Sequence, residues 1–140
     1  MSAAQAKQLE NAHALLSHLN TLNFDALADL LAPDFTFEYF PASLSPPEGK
    51  AKRGKEETLE LFKHAWLTVF EYITLLKPID VIQGSDAVVL HVKSDGMSKS
   101  GKKYNNEYMF TFRFAGEKIV YLKEFADSKY SESYFADLTG

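Results

Sequence analysis

Apolar positions recur every three or four residues near the start of the chain: Leu9, Ala12, Leu16 and Leu19 form one stripe, which Leu15 and Leu22 widen. That spacing predicts an amphipathic helix over residues 3–22. Asn23 reads as a break and cap, and a second short helix over residues 24–31 ends at Pro33-Asp34. The period then falls to two. Residues 35–40 alternate as a short strand, Phe35, Phe37 and Tyr39 against Thr36, Glu38 and Phe40. Residues 41–54, with Pro41, Pro46, Pro47, Gly49 and Gly54, are expected to be a loop. A third helix is predicted from Glu56 to Phe70, with the stripe Leu59, Phe62, Trp66, Val69. Glu56 and Glu57 suit its first turn, where the helix dipole favours carboxylates. Strands are expected over residues 73–82 and 87–92, separated by Gly84-Ser85-Asp86, then a loop over residues 94–103. Residues 104–127 read as two long strands around the turn Ala115-Gly116-Glu117-Lys118, and residues 128–138 as a closing helix that packs Tyr134, Phe135 and Leu138. Helices set apart from a run of consecutive strands make an α+β domain. The expected form is a cone-shaped barrel: a curved, mainly antiparallel sheet wrapped around helices, with an internal cavity. With no repeat and no boundary, residues 1–140 read as one domain.

The stretch 104–127 carries the candidate chemistry. Strand side chains alternate between faces, so Asn106, Tyr108, Phe110 and Phe112 share one face, and Glu107, Met109, Thr111 and Arg113 the other. On the second strand Val120, Leu122, Glu124 and Ala126 line up. A carboxylate between Leu122 and Ala126 is costly to bury without a partner or a purpose. Such an acid has its pKa raised by desolvation, which suits a general base taking a proton beside a carbonyl. The alternative is a structural network in which a Tyr hydroxyl or Asn106 neutralises Glu124. Asn106 and Tyr108 are candidates to orient a ligand carbonyl, or else a buried pair holding the sheet. Tyr39, Phe110 and Trp66 are candidate cavity residues, and His91 is a half-buried strand histidine that joins them if its face is the concave one.

Composition narrows the classes. Eleven Phe, seven Tyr and one Trp are enough to fill a thick core or to line a pocket for an apolar ligand. Net charge is −4 with scattered basic residues, so nucleic acid is not an expected partner. There is no cysteine, and His13, His18, His64 and His91 lack metal-ligand spacing, so no metal is expected. No Gly-rich phosphate loop or nucleophile elbow occurs, so cofactor-independent chemistry is expected. The first residues lack a signal-like apolar core and no apolar run is long enough to span a membrane, so the expected location is the cytoplasm.

The element order resembles the SnoaL-like polyketide cyclases and ketosteroid-isomerase-related proteins of the nuclear transport factor 2-like superfamily. So do Tyr104-Asn105-Asn106-Glu107-Tyr108, Gly116-Glu117-Lys118-Ile119-Val120 and Lys123-Glu124-Phe125-Ala126-Asp127. The resemblance covers nearly the whole chain and speaks for fold more than activity. It places Tyr39, Leu15 and Phe110 where ketosteroid isomerases carry a base Asp, a helix Tyr and a protonated Asp, so a steroid-isomerase mechanism is not expected. It places Glu124 at the acid/base position of the cyclases, where they carry Asp. Arg113 and Asp127 are similar to part of the Asp-Arg-Asp set of the family's epoxide hydrolases, but a surface or interface pairing of Arg113 with Asp127 or Glu107 is expected instead. The resemblance also implies a homodimer through the outer sheet face, where Met109, Thr111, Tyr121 and Phe125 would otherwise leave an apolar patch. The function expected is a cofactor-independent isomerase, cyclase or dehydratase acting on a small apolar carbonyl compound. The alternative is a non-catalytic ligand-binding or scaffold protein with a filled cavity.

Overall fold

Ser2 opens helix α1 (Ala3–Asn20) with a reciprocal cap: its hydroxyl accepts the Gln5 N–H, and the Gln5 side chain accepts the Ser2 N–H. The computed structural model describes residues 1–44 and 52–139. Ala12, Leu15, Leu16 and Leu19 form the buried stripe, while Leu22 stands outside it beyond the helix end. Two polar residues share the buried face. Gln8 donates to Asp86 Oδ1 and the Gly116 carbonyl, and Asn11 donates to the Glu117 carbonyl, so α1 is tied to the turns of two hairpins. Asn20 grips the Leu75 backbone by both its N–H and its carbonyl at 2.8 Å.

Asn23 caps α2 (Phe24–Leu30) by accepting the Ala26 N–H. Strand β1 (Leu31–Phe40) begins four residues before the expected Phe35, because Pro33 and Asp34 sit in an irregularity of its pairing between Leu31 and Thr36. Within the predicted loop, Lys52–Gly54 forms a short strand, β2, antiparallel to β1, while residues 45–51 lie outside the described residues. Helix α3 (Lys55–His64) runs into a π-helical turn, Ala65–Val69.

The strand expected over residues 73–82 is two strands, β3 (Phe70–Leu75) and β4 (Asp80–Gly84). Pro78, with no N–H to give a ladder, lies between them. Both pair with β5 (Ala87–Ser98), which continues through much of the expected loop. β3 lies close against its second half. A Cβ on Gly96 would meet the Tyr72 carbonyl oxygen at 3.0 Å. The chain goes on through β6 (Lys103–Tyr104), β7 (Glu107–Ala115), β8 (Lys118–Ala126) and α4 (Ser128–Thr139). Gly116, at φ 60°, supplies the left-handed backbone of the β7–β8 turn.

The main path of the sheet is β2-β1-β8-β7-β5-β3, with β4 and β6 both on β5. The β1–β8 pair is parallel and the other pairs are antiparallel. The sheet is curved as expected, but it is open and does not close into a barrel. Its inner face, including Phe35, Phe37, Leu90, Phe112 and Leu122, packs against Leu15, Leu16 and Leu19 of α1 and Phe62 of α3. One bulge corrects the expected parity of β8. Arg113 pairs with Tyr121 and Phe114 with Ile119, so Ile119 takes the buried place expected for Val120, while Leu122, Glu124 and Ala126 keep the inner face. Among the described residues no helix is long and apolar enough to cross a membrane.

Candidate active site

Between the inner face of the sheet and the segment running from α3 through the π turn into β3 lies a cavity of about 200 Å³. Leu61, Phe62, Ala65 and Trp66 line one side, and Phe37, Tyr39, Tyr104, Tyr108, Phe110 and Glu124 the other. Phe62 packs edge-on against Phe37 at 5.6 Å and against Trp66 at 6.1 Å, which holds the aromatic wall in place. An apolar cavity of about 150 Å³ accepts benzene. The volume here therefore suits a compact molecule of one or two rings.

Glu124 is the only charged residue among the described residues of this lining. Register fixes its place. Across three neighbouring strands Tyr39, Glu124 and Phe110 stand in one row, with Tyr39 and Phe110 the partners of Glu124 on either side. No hydrogen bond or ion pair engages its carboxyl among the described residues, and burial pushes its pKa up to about 8. Low-dielectric surroundings disfavour the charged form. Below that pH Glu124 is mostly a neutral acid, and near it the group exchanges protons readily.

The hydroxyls beside it form their own network. Tyr108 donates to Tyr104 at 2.9 Å, and Ser94 Oγ stands 3.1 Å from the Tyr108 oxygen. Asn106 donates to the Tyr104 oxygen at 2.7 Å and to Ser131 Oγ at 2.9 Å, and its carbonyl accepts the Glu107 N–H. The phenols of Tyr39, Tyr104 and Tyr108 are all held well above the ordinary tyrosine pKa, with burial the largest cause and the Glu124 charge a further one. They are hydrogen-bonding groups, not proton sources. The network that the sequence offered as an alternative partner for Glu124 thus exists, but its bonds run among its own members.

The sequence candidates separate accordingly. Tyr39, Trp66, Tyr108, Phe110 and Glu124 come together on the cavity. Asn106 does not line it: its side chain is committed behind Tyr104. His91 does not reach it either. Its neighbours Leu90 and Val92 take the inner face, so His91 points outward and meets Glu107 at 2.5 Å. Arg113 also lies on the outer face, opposite Tyr121, while Asp127 accepts the Tyr130 N–H at the start of α4. Glu107 and Asp127, the expected partners of Arg113, are thus engaged elsewhere. Sequence reasoning missed Tyr104, Phe70 and Phe135 as lining residues. Tyr104 had a readable signal, since it shares the even parity of Asn106, Tyr108 and Phe110.

The model of the SnoaL-like domain matches residues 12–122. The chain belongs to the SnoaL-like domain family. Members of this family and of the wider NTF2-like group include cyclases, isomerases and epoxide hydrolases. This SnoaL-like domain is similar to the BvnE pinacolase from Penicillium brevicompactum, with a TM-score of 0.80 and 24% identity over 96% of this chain and 95% of that one. An NTF2-like protein from Anabaena variabilis matches with a TM-score of 0.71 and 25% identity, over 91% and 95%. An LEH-like epoxide hydrolase from M. tuberculosis matches with a TM-score of 0.74 and 15% identity, over 92% and 89%. The likeness to the pinacolase and to the epoxide hydrolase carries the fold alone. No curated protein matches the chain in sequence. The family match ends two residues before Glu124, so the case for that acid rests on its surroundings.

Proposed function

We propose that this SnoaL-like domain is a cofactor-independent acid/base enzyme of the isomerase, cyclase or lyase kind, acting on a small, largely apolar carbonyl compound. Glu124 carries the reading: a carboxyl without a partner among the described residues, on the wall of an aromatic cavity whose other described lining residues are uncharged, with its pKa at about 8. As carboxylate it takes the proton from the carbon beside the carbonyl. The C–H pair becomes the new C=C bond, and the carbonyl π pair moves onto oxygen. As acid, Glu124 returns the proton to another carbon, or to a departing hydroxyl that leaves as water. A catalytic pKa near the working pH favours both half-steps. The same reading takes the protein as a homodimer through the outer sheet face, where Met109 and Phe125 are 38% and 48% exposed.

Exchange of α-protons for deuterium in small ketones, followed by NMR, tests the acid without knowledge of the natural substrate. The wild-type domain accelerates exchange, and Glu124→Gln slows it by ~10²–10⁴-fold while the circular dichroism spectrum is kept. Binding of ketones without any exchange across the panel would make this a carrier, not an enzyme.

A further inference from the structure

We infer that Tyr104 is the donor that holds the ligand's oxygen, and that the cavity therefore selects small apolar molecules carrying an acceptor oxygen, such as a ketone or ester carbonyl. The carbonyl class rests on the acid/base reading above; the donor role rests on hydrogen-bond accounting. The Asn106 carbonyl oxygen accepts the Glu107 N–H, which fixes the amide so that its nitrogen faces Tyr104 and Ser131. The Tyr104 oxygen therefore accepts from Asn106.

Ser94 Oγ accepts the backbone N–H of Asn106 at 3.0 Å and stands 3.1 Å from the Tyr108 oxygen, to which it can give its own hydrogen. Tyr108 passes its hydrogen to Tyr104. Both lone pairs of Tyr104 are then filled, and its O–H has no acceptor among the described residues, although Tyr104 lines the cavity. The reverse order would leave the orphan hydrogen on Ser94, which is 3% exposed. Unmet donors are costly when buried, so the order that ends at the cavity, where a ligand can accept, is the one a bound oxygen completes.

With its lone pairs used, Tyr104 can donate to a ligand but cannot accept from one. Packing fixes the ring that carries this hydroxyl, with Phe70 at 4.6 Å and Tyr134 at 4.8 Å between ring centroids. Asn106, Tyr108 and Ser94 are positioning residues for that single O–H.

Acetophenone and α-methylstyrene form a matched pair of one-ring probes, differing in C=O against C=CH2. Acetophenone binds the wild-type domain at least tenfold more tightly, and its carbonyl stretch shifts to lower wavenumber when bound. Tyr104→Phe abolishes both effects, and because the probes report binding alone, with no proton moved, failure of the acid/base reading in the deuterium-exchange assay and failure of this one give different results. Tyr108→Phe leaves the shift in place but smaller, because Tyr104 keeps its hydrogen for the ligand and loses only polarisation. Equal affinity for the two probes, no binding of either, or a shift that survives in Tyr104→Phe overturns the assignment. So does a shift that grows in Tyr108→Phe, since Tyr104 would then have been donating to Tyr108.

Discussion

Tyr39 on β1 and Glu124 on β8 are register partners across the parallel strand pair of the sheet. The pairing sets a phenol beside a carboxyl with no choice of rotamer needed to bring their strands together. It also sets the acid between two aromatic neighbours, Tyr39 and Phe110, so the desolvation of Glu124 is a property of the sheet itself.

That desolvation has a sign in stability. The folded-state pKa of Glu124, about 8, lies above the ordinary carboxyl value, so between the two the folded protein holds a proton that the unfolded chain has released. Stability therefore falls as pH rises from about 4.5 to about 8, by at most about 1.4 kcal/mol per pH unit. Glu124→Gln removes this slope and raises the urea midpoint at pH 8 relative to wild type. Parallel pH profiles of the two proteins would exclude a raised Glu124.

Filling the cavity separates ligand space from core. Ala65 lines it from the π turn, and Ala65→Leu places added methyl groups in about 200 Å³ of open volume. Affinity for one-ring probes drops at least tenfold, with the melting temperature unchanged or higher. A large loss of stability by calorimetry would mean the space is not open at that point.

Asn106→Leu strands the groups it serves. Tyr104, Ser131 and the Glu107 N–H each lose a buried partner, at about 1–3 kcal/mol for a group left unsatisfied. Urea denaturation is expected to show a loss of that order or larger, along with weaker probe binding. A neutral substitution would mean that water or a neighbour replaces the amide.

The dimer is checked by sedimentation. At micromolar concentration the wild-type chain is expected to run at twice its own mass, and Met109→Lys with Phe125→Lys together at its monomer mass. Both side chains are exposed on the outer face, so the folded monomer tolerates the change. A wild-type monomer at that concentration removes the proposal.

Strict periodicity made much of the fold legible: the stripe of α1 apart from Leu22, the alternation of Tyr108, Phe110 and Phe112, and the Gly116 turn all stand in the sequence as they do in the structure. What was not legible depended on partners distant in the chain. Ser94, Gly96 and Ser98 read as loop residues, yet they pair with or lie beside β3, which comes so close that Gly96 has little room for a side chain. The break at Pro78 was written in the sequence but lay between two runs of strand formers. At the candidate site, parity alone put Glu124 inward. Parity could not tell that Asn106, though inward, spends its amide behind Tyr104, because that depends on Ser131, which a later helix brings in. His91 needed only the knowledge of which face was concave.

Ser131 gives the last helix a second role. Its hydroxyl takes an N–H from the same amide that grips Tyr104, and Phe135, one turn on, forms part of the cavity wall. A molecule seated in the cavity and the folded state of α4 therefore share one set of contacts. Linkage makes the effect reciprocal: an occupant lowers the opening equilibrium of the helix by the factor with which an intact helix tightens its hold on the occupant. Backbone amides of α4 become reporters of occupancy through their exchange with deuterium. A compound too small to perturb any spectrum of its own would still be counted by the protection it lends that helix.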